Sequence, residues 1–193
     1  MKEGKLIILS APSGTGKTTI CKELLSRNKD WKFSVSVTTR DAREGETPNK
    51  DYIFMTNDKF DHLINFGDMA EYEWVHGNRY GTLISPLEDA IDKKKIMLLD
   101  IDVKGGCSIM EEFEGNTLSI FIEPPGENIA EQVETLEQRL KDRGHESDTL
   151  IKQRTKRMQL ELEYKDKFDY HFINEDFKKT TDKIEKLIRR KCK

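Results

Sequence analysis

The segment APSGTGKTT, which begins at Ala11, constrains this chain more than any other. It lies between an apolar β-rich run, KLIILSA from Lys5, and TTICKELLSR, whose Ile20, Leu24 and Leu25 fall at helical spacing. A strand that meets two glycines and then a helix wraps its backbone into a concave turn whose N–H groups converge. The segment fits G-x-x-x-x-G-K-[ST] except that Ala11 stands where the first glycine is usual. Ala11, Pro12, Ser13, Gly14, Thr15, Gly16, Lys17, Thr18 and Thr19 therefore read as a phosphate cradle for a nucleotide such as ATP. Gly14 and Gly16 let the backbone approach phosphate oxygens, and the helix starting near Lys17 adds the positive end of its dipole. Lys17 supplies a charge to the β- and γ-phosphates, and Thr18 a hydroxyl to Mg2+. A glycine-rich turn that binds nothing is the alternative. Glycine, lysine and threonine all at the required offsets after a strand argue against it.

The alternation continues. FSVSVTT from Phe33 has period two and predicts a half-exposed strand, and KIMLLDID from Lys95 predicts a strand buried on both faces. LSIFIEP from Leu118 and DYHFIN from Asp169 look similar, each followed by a helical segment. This predicts an α/β fold, a P-loop NTPase-type parallel sheet flanked by helices. Two stretches depart from the rhythm. Residues 40–85 are rich in aromatic, glycine and polar residues, too long for a loop, and predict a small mixed α/β insertion. Residues 127–164 predict two charged helices broken at RGHESD, with Ile129, Val133, Leu136 and Leu140 on one apolar face and Arg139, Arg143, Arg154 and Arg157 projecting, as a mobile lid would. The core is then expected from 1–39, 86–126 and 165–193, closing on a helix with Ile184, Leu187 and Ile188 inward.

Composition narrows the class. The 193 residues carry 33 Lys+Arg against 36 Asp+Glu, a net charge of −3, which argues against a dedicated nucleic-acid binder. With 36% charged residues and apolar runs no longer than a strand, no membrane span is expected. The N-terminus lacks the features of a secretory signal, and Cys21, Cys107 and Cys192 are widely spaced, so free thiols in a cytoplasmic setting are expected.

Asp100 and Asp102 end the buried run KIMLLDID, where open α/β sheets bind ligands. Asp100 is the candidate acidic partner of Mg2+, while Asp102 has a competing reading as a helix N-cap. The guanine code N-K-x-D of GTPases is absent: NKD occurs at Asn28 and Asn49, but Trp31 and Tyr52 take the fourth position. A small-molecule kinase remains, which needs a second phosphate pocket. Arg40 and Arg43 in SVTTRDAREGE, with Tyr52 in KDYIF and Tyr80 in NRYGT, can cage a phosphomonoester through charge-assisted bonds.

Together APSGTGKT, SVSVTTRDAREGE, KDYIF, Glu71, NRYGT, LLDIDVKGG, RLKDRG and INED resemble guanylate kinase, in order and along nearly the whole chain. The resemblance implies ATP + GMP ⇌ ADP + GDP with Mg2+, on a core, a GMP-binding part and a lid. It further implies that Ser36, Arg40, Arg43, Tyr52, Glu71, Tyr80, Thr82 and Asp102 line the GMP site. Lys17, Arg40, Arg139, Arg143 and Arg154 would then serve the transferred phosphoryl group, Thr18 and Asp100 the metal, and Asn174 would lie near adenine. GMP and dGMP are the expected acceptors, with no nucleic-acid or membrane partner, in a monomer or weak homodimer.

The chemistry supports the acceptor independently. Guanine offers two donors, N1–H and the 2-amino group, which one carboxylate can accept, while hydroxyls of Ser36 and Thr82 can donate to O6. Glu71 is the first candidate for that acid and Glu73, two residues on, the second. Phosphoryl transfer needs no general base, and His62, His76, His145 and His171 read as surface or loop residues. Three departures from the family pattern stand out: Ala11, Leu83 after Thr82 where some relatives carry another hydroxyl, and a longer stretch PPGENIAEQVETLEQRL before the lid arginines. Two other readings are a non-catalytic guanylate-kinase-like module that binds phosphopeptides and a P-loop kinase for another phosphorylated substrate.

Overall fold

The structure, a computed structural model, describes residues 4–75, 77–143 and 148–192. In chain order the first elements are β1 (Lys5–Ser10), α1 (Lys17–Arg27), β2 (Lys32–Phe33), β3 (Val37–Thr38), β4 (Ile53–Phe54) and α2 (Asn57–Asn65). Then follow β5 (Met69–Val75), β6 (Asn78–Leu83), α3 (Ile84–Asp92), β7 (Ile96–Asp100), α4 (Val103–Glu112) and β8 (Thr117–Glu123). The chain closes with α5 (Ile129–Arg143), α6 (Asp148–Leu162), β9 (Tyr170–Ile173) and α7 (Phe177–Lys191).

The core sheet has the order β2-β7-β1-β8-β9, with every pairing parallel. Its central strands read as continuous apolar runs because both faces are covered. Ile7, Leu9, Leu98, Ile120 and Ile122 face α1 and α7 through Ile20, Leu24, Ile184, Leu187 and Ile188. Leu6, Ile8, Met97, Leu99 and Phe121 face the other way, onto α3 and α4 through Leu87, Ala90, Val103 and Ile109. The register sets Leu9 opposite Asp100, so β7 ends beside the turn that leaves β1. That point is the crevice at the carboxyl ends of an open parallel sheet.

FSVSVTT does not form one strand. Lys32–Phe33 pair with β7 in the core sheet, whereas Val37–Thr38 pair with β4 and β6 in a second sheet of order β4-β3-β6-β5. The alternation is real, but the chain passes between sheets at Ser34–Ser36, and Ser34 still donates to the Leu98 carbonyl before the crossing. The second sheet thus takes in residues that precede position 40. Helix α2 packs on it, started by Thr56, whose hydroxyl accepts from the Lys59 amide, and buries Phe60. A register shift between Met69 and Glu71 is a bulge in β5 that turns Glu71, Glu73 and Val75 to one face and leaves Tyr72 and Trp74 exposed on the other.

The break RGHESD falls mostly on residues 144–147, outside the described residues. On either side of it α5 and α6 share a small buried cluster of Leu136, Leu140 and Met158, while Ile129 and Val133 lean on the core. Among the described residues no helix is long and apolar enough to cross a membrane. Leu162 also ties α6 to the core, but the cluster the two helices share is small. Leu140→Ala should cost about 2–5 kcal/mol locally, the usual range for a buried leucine. Hydrogen exchange checks this: protection should fall in α5 and α6 and stay unchanged in β1 and β7.

Candidate active site

The turn after β1 has the required shape for a simple reason. Gly14 and Gly16 take φ of 90° and 99°, a region that costs side-chain-bearing residues energy. Gly16 is also the N-cap of α1 and has no side chain to spend on the first-turn amides, which stay available to an anion. Behind the turn, Asn174 Nδ2 donates to the Thr15 carbonyl at 2.7 Å, and a Cβ on Gly16 would stand 2.9 Å from that nitrogen. Asn174 is buried there, bracing the turn.

Lys17 Nζ lies 3.0 Å from Asp100 Oδ1 and donates to the Ile101 carbonyl at 2.6 Å. Burial alone would lower the Lys17 pKa, but the adjacent Asp100 carboxylate outweighs it and holds the ammonium above its ordinary value. The Thr18 hydroxyl donates to Asp100 Oδ2 at 2.6 Å. One carboxylate at the end of β7 therefore positions both side chains that begin α1. A hydroxyl and a carboxylate beside a phosphate cradle are hard oxygen donors of the kind Mg2+ takes along with phosphate and water oxygens.

A cavity of about 460 Å3 joins this cradle to the second sheet. From the cradle it is lined by Ala11, Pro12, Ser13, Gly14, Gly16, Lys17, Thr18 and Thr19, and from β7 and its end by Asp100, Ile101 and Asp102. The second sheet contributes Glu71, Glu73 and Tyr80, the segments beside its strands contribute Ser36, Arg43 and Tyr52, and the lid helix α6 contributes Arg154, Arg157 and Glu161. Glu71 is half-buried, and its Oε1 accepts from the Thr82 hydroxyl at 2.6 Å. Burial pushes its pKa up to about 7; the Thr82 bond pulls the other way, and Asp102 and Glu73 add to the rise. Tyr52 packs edge-on to Tyr80 with ring centroids 5.8 Å apart, and burial raises its phenol pKa, so it stays protonated.

Several expected site residues stand differently from their expected roles. Asp102 is the N-cap of α4: its Oδ1 accepts from the amides of Lys104 and Gly105, leaving Oδ2 toward Arg157 at 3.4 Å. The Thr82 hydroxyl is given to Glu71, so as it stands it has no proton left for a base carbonyl. Arg40 lies back from the cavity wall, held by both oxygens of Glu46 at 2.9 Å and by the Tyr80 hydroxyl, with its guanidinium 5.2 Å from the Tyr52 ring centroid. Arg139 donates to the Asn174 carbonyl at 3.2 Å, behind the cradle. The Arg143 side chain, like His76 and His145, lies outside the described residues. His171, in β9, is exposed as expected of a surface histidine and stands 3.3 Å from buried Glu123.

Glu46 and Glu161 have no part in the sequence reading, and Arg157 enters it only as one of the lid arginines. Arg157 donates to Glu161 Oε1 at 2.8 Å, and Glu161 Oε2 accepts from the Ser13 amide at 3.4 Å, linking the lid to the cradle. The signal for both was present: Arg157 follows Arg154 by three residues and precedes Glu161 by four, one helix face. Glu46 was visible as the acid of REGE but indistinguishable from its exposed neighbours.

Residues 3–191 match the family model described as guanylate kinase. The chain is 40% identical over 188 residues to a guanylate kinase of Clostridium tetani, covering 97% of this chain and 86% of that one. It is 40% identical over 185 residues to one of Chlorobium chlorochromatii, covering 96% and 94%. A crystal structure of guanylate kinase from Anaplasma phagocytophilum superposes with a TM-score of 0.81 at 34% identity, over 99% of this chain and 87% of that one.

The buried acid predicts a pH signature. An unfolded Glu71 would ionise near 4.5 and the folded one near 7, so folding binds a proton more tightly between those values. Wild-type stability should therefore decline as pH rises from 4.5 through 7 and then level off, by on the order of 3 kcal/mol in all for this group. Glu71→Gln removes the titration. Thermal melts of the two proteins should diverge in favour of the variant across that window, and parallel curves would show that Glu71 titrates normally.

Proposed function

The chain belongs to the guanylate kinase family and transfers the γ-phosphoryl group of ATP to GMP; on that premise, we propose that Glu71 reads the acceptor base and the cradle holds the donor. The observation that carries this is the shared cavity: a half-buried carboxyl, with no cationic partner among the described residues, faces a lysine-bearing phosphate turn across about 460 Å3. As a carboxylate, Glu71 accepts from guanine N1–H and the 2-amino group, with Ser36 in reach of the base edge and Glu73 beside it. For Thr82 to donate to O6 its hydroxyl must leave Glu71, an exchange that a base supplying two new donors to the acid permits.

Arg43, Tyr52 and Tyr80 bind the acceptor phosphate, and Arg40 joins them if Glu46 yields it. Lys17, Arg154 and Arg143 neutralise the transferred group. Arg139 acts from behind the cradle, and Asn174 supports the adenine end of the donor through the turn it braces. An oxygen of the acceptor phosphate bonds to the γ-phosphorus as the bond to the β–γ bridging oxygen breaks, and ADP leaves. No side chain takes a proton in this account. Thr18 and Asp100 would hold Mg2+, which when bound supplies neutralisation of phosphate charge. Closure of the insertion and lid on the core brings these groups together; Lys22–Asp51 at 3.2 Å and Arg157–Asp102 at 3.4 Å are contacts of that kind.

None of these contacts is to the 2′-position of the acceptor sugar, so dGMP is expected to serve as well. The free thiols of Cys21, Cys107 and Cys192 suit the cytoplasm, and we place the protein there as a monomer or weak homodimer, with the lid at 127–164 and the insertion expected at 40–85 widened to take in β3. A phosphopeptide-binding module would have no use for Lys17, Thr18 and Asp100 in mutual contact, nor a kinase for another acceptor for a carboxyl buried opposite them.

Two measurements test the assignments. Lys17→Ala should fold and lose roughly 10²–10³-fold or more in kcat, the scale for one preorganised donor. Near-normal turnover would refute its role. AMP presents an unprotonated N1 and no 2-amino group, and sites of this kind reject such analogues by about 10⁴–10⁵-fold. The GMP/AMP ratio of kcat/KM should be large in wild type and collapse in Glu71→Gln. If Glu73→Gln collapses it instead, the acid is Glu73.

A further inference from the structure

Helix α4 has two adjacent glycines in its first turns, Gly105 and Gly106, although glycine is the poorest helix former apart from proline. Neither takes a positive φ, so backbone freedom does not account for them; lack of a side chain does. They serve different neighbours. A Cβ on Gly106 would meet Ser10 Oγ at 3.0 Å, Ile8 Cγ2 at 3.2 Å and Phe168 Cζ at 3.3 Å, the close seating of a helix on its sheet. A Cβ on Gly105 would stand 2.6 Å from Glu71 Oε2 and 2.9 Å from Ile101 Cδ1 and Cγ1.

The contrast decides what each position controls. At Gly105 the colliding atoms belong to side chains, and the nearest is a carboxylate at the end of a flexible chain. An added methyl group would displace that carboxylate and also press the Ile101 side chain aside, with little demand on the backbone. Glu71 has little freedom to move and keep its contacts, because Oε1 is held by Thr82 at 2.6 Å and Oε2 is the atom displaced. The amides of Lys104 and Gly105 are taken by Asp102 Oδ1, so the acid lies against the helix without receiving either amide.

We propose that Gly105 is a specificity-determining position: by lacking a Cβ it admits the Glu71 carboxylate against the first turn of α4 and sets the acid where the acceptor base is read. This rests on the assignment of Glu71 made above. Gly105 touches neither nucleotide in this account; it is a positioning residue that acts through Glu71.

The test is kcat/KM for GMP and for AMP in Gly105→Ala, Glu71→Gln and the double variant, with KM for ATP and thermal melts alongside. Misplacing a recognition group by about 1 Å costs on the order of 10²-fold, so Gly105→Ala should lower the GMP/AMP ratio by about that factor. KM for ATP should not change, and stability should fall modestly, because the Ile101 contacts at 2.9 Å offset the better helix propensity of alanine. In the Glu71→Gln background the ratio has already collapsed, and adding Gly105→Ala should not move it further. Gly106→Ala, the packing control, should lose stability and keep the ratio.

Four results overturn the proposal. In one, Gly105→Ala keeps the ratio while Glu71→Gln collapses it, which leaves the Glu71 assignment standing. In another, Gly105→Ala shifts the ratio equally in both backgrounds, so that it acts by another route. In the third, Gly105→Ala does not fold, showing that the clash is borne by the fold and not by the carboxylate. In the last, Glu71→Gln itself leaves the ratio intact, and the assignment of Glu71 fails together with the inference built on it.

Discussion

The carboxylate of Asp100 is the point on which the site turns. Its two oxygens hold Lys17 at 3.0 Å and Thr18 at 2.6 Å, so one side chain at the end of β7 orients both residues that open α1. Neither member of the Lys17–Asp100 pair is well solvated, with side-chain exposures of 17% and 14%. Such a pair does not recommend itself as a stabilising device, because removing two charges from water costs about as much as their attraction returns. Its use is geometric. The register that sets Leu9 against Asp100 brings the acid level with the turn, and the parallel core exists to fix that register. The apolar runs of β1, β7 and β8, covered on both faces, are the means.

How much of this could be read in the sequence followed from how local the determinant was. The turn at Ala11–Thr19 is specified by its own glycines, and positive φ at Gly14 and Gly16 is what their presence implied. The core strands were legible because two-sided burial leaves continuous apolar runs. The strand at FSVSVTT was misread because period-two alternation reports pleating but not which sheet a residue joins. Val37 and Thr38 look like a continuation of Phe33 until pairing partners far along the chain are known. In the candidate site, residue types at fixed offsets were legible and hydrogen-bond partners were not. Asp102 at a strand end carried two readings; only the positions of the Lys104 and Gly105 amides decide that Oδ1 caps the helix. The bulge at Met69–Glu71, which turns Glu71 into the cavity, leaves no local mark in MAEYEWV.

Parts of the site run against stability, and this is where local rules and the fold disagree. Glu71 is a carboxyl held where burial raises its pKa to about 7, glycines occupy helical positions in α4, and two more give the turn a φ that only glycine adopts readily. Glu71 and the turn glycines line the cavity, Gly105 backs Glu71, and Gly106 seats the helix on the sheet. A core of Leu6 to Leu9, Leu98, Leu99 and Ile120 to Ile122 tolerates them because it is buried almost completely.

Three cations in and behind the cleft are already paired. Lys17 rests on Asp100, Arg40 on Glu46, and Arg157 on Glu161 and Asp102. Without those acids, guanidinium and ammonium groups would crowd one cavity as like charges in a partly dry space, at a cost that grows as the local dielectric falls. With them, phosphate binding becomes an exchange: an anion takes a cation from a carboxylate, and the carboxylate turns to another donor. Asp100 and Asp102 are suited to this because each retains a second attachment, Asp100 through Thr18 and Asp102 through the α4 amides. Glu161, bonded at once to Arg157 and to the Ser13 amide, couples one such exchange on the lid to the cradle itself. The acids that hold the cations without ligand thus belong to the binding machinery as much as the cations do, which is why Glu46 and Glu161 were harder to find: their role is defined by a partner that ligand is expected to take away.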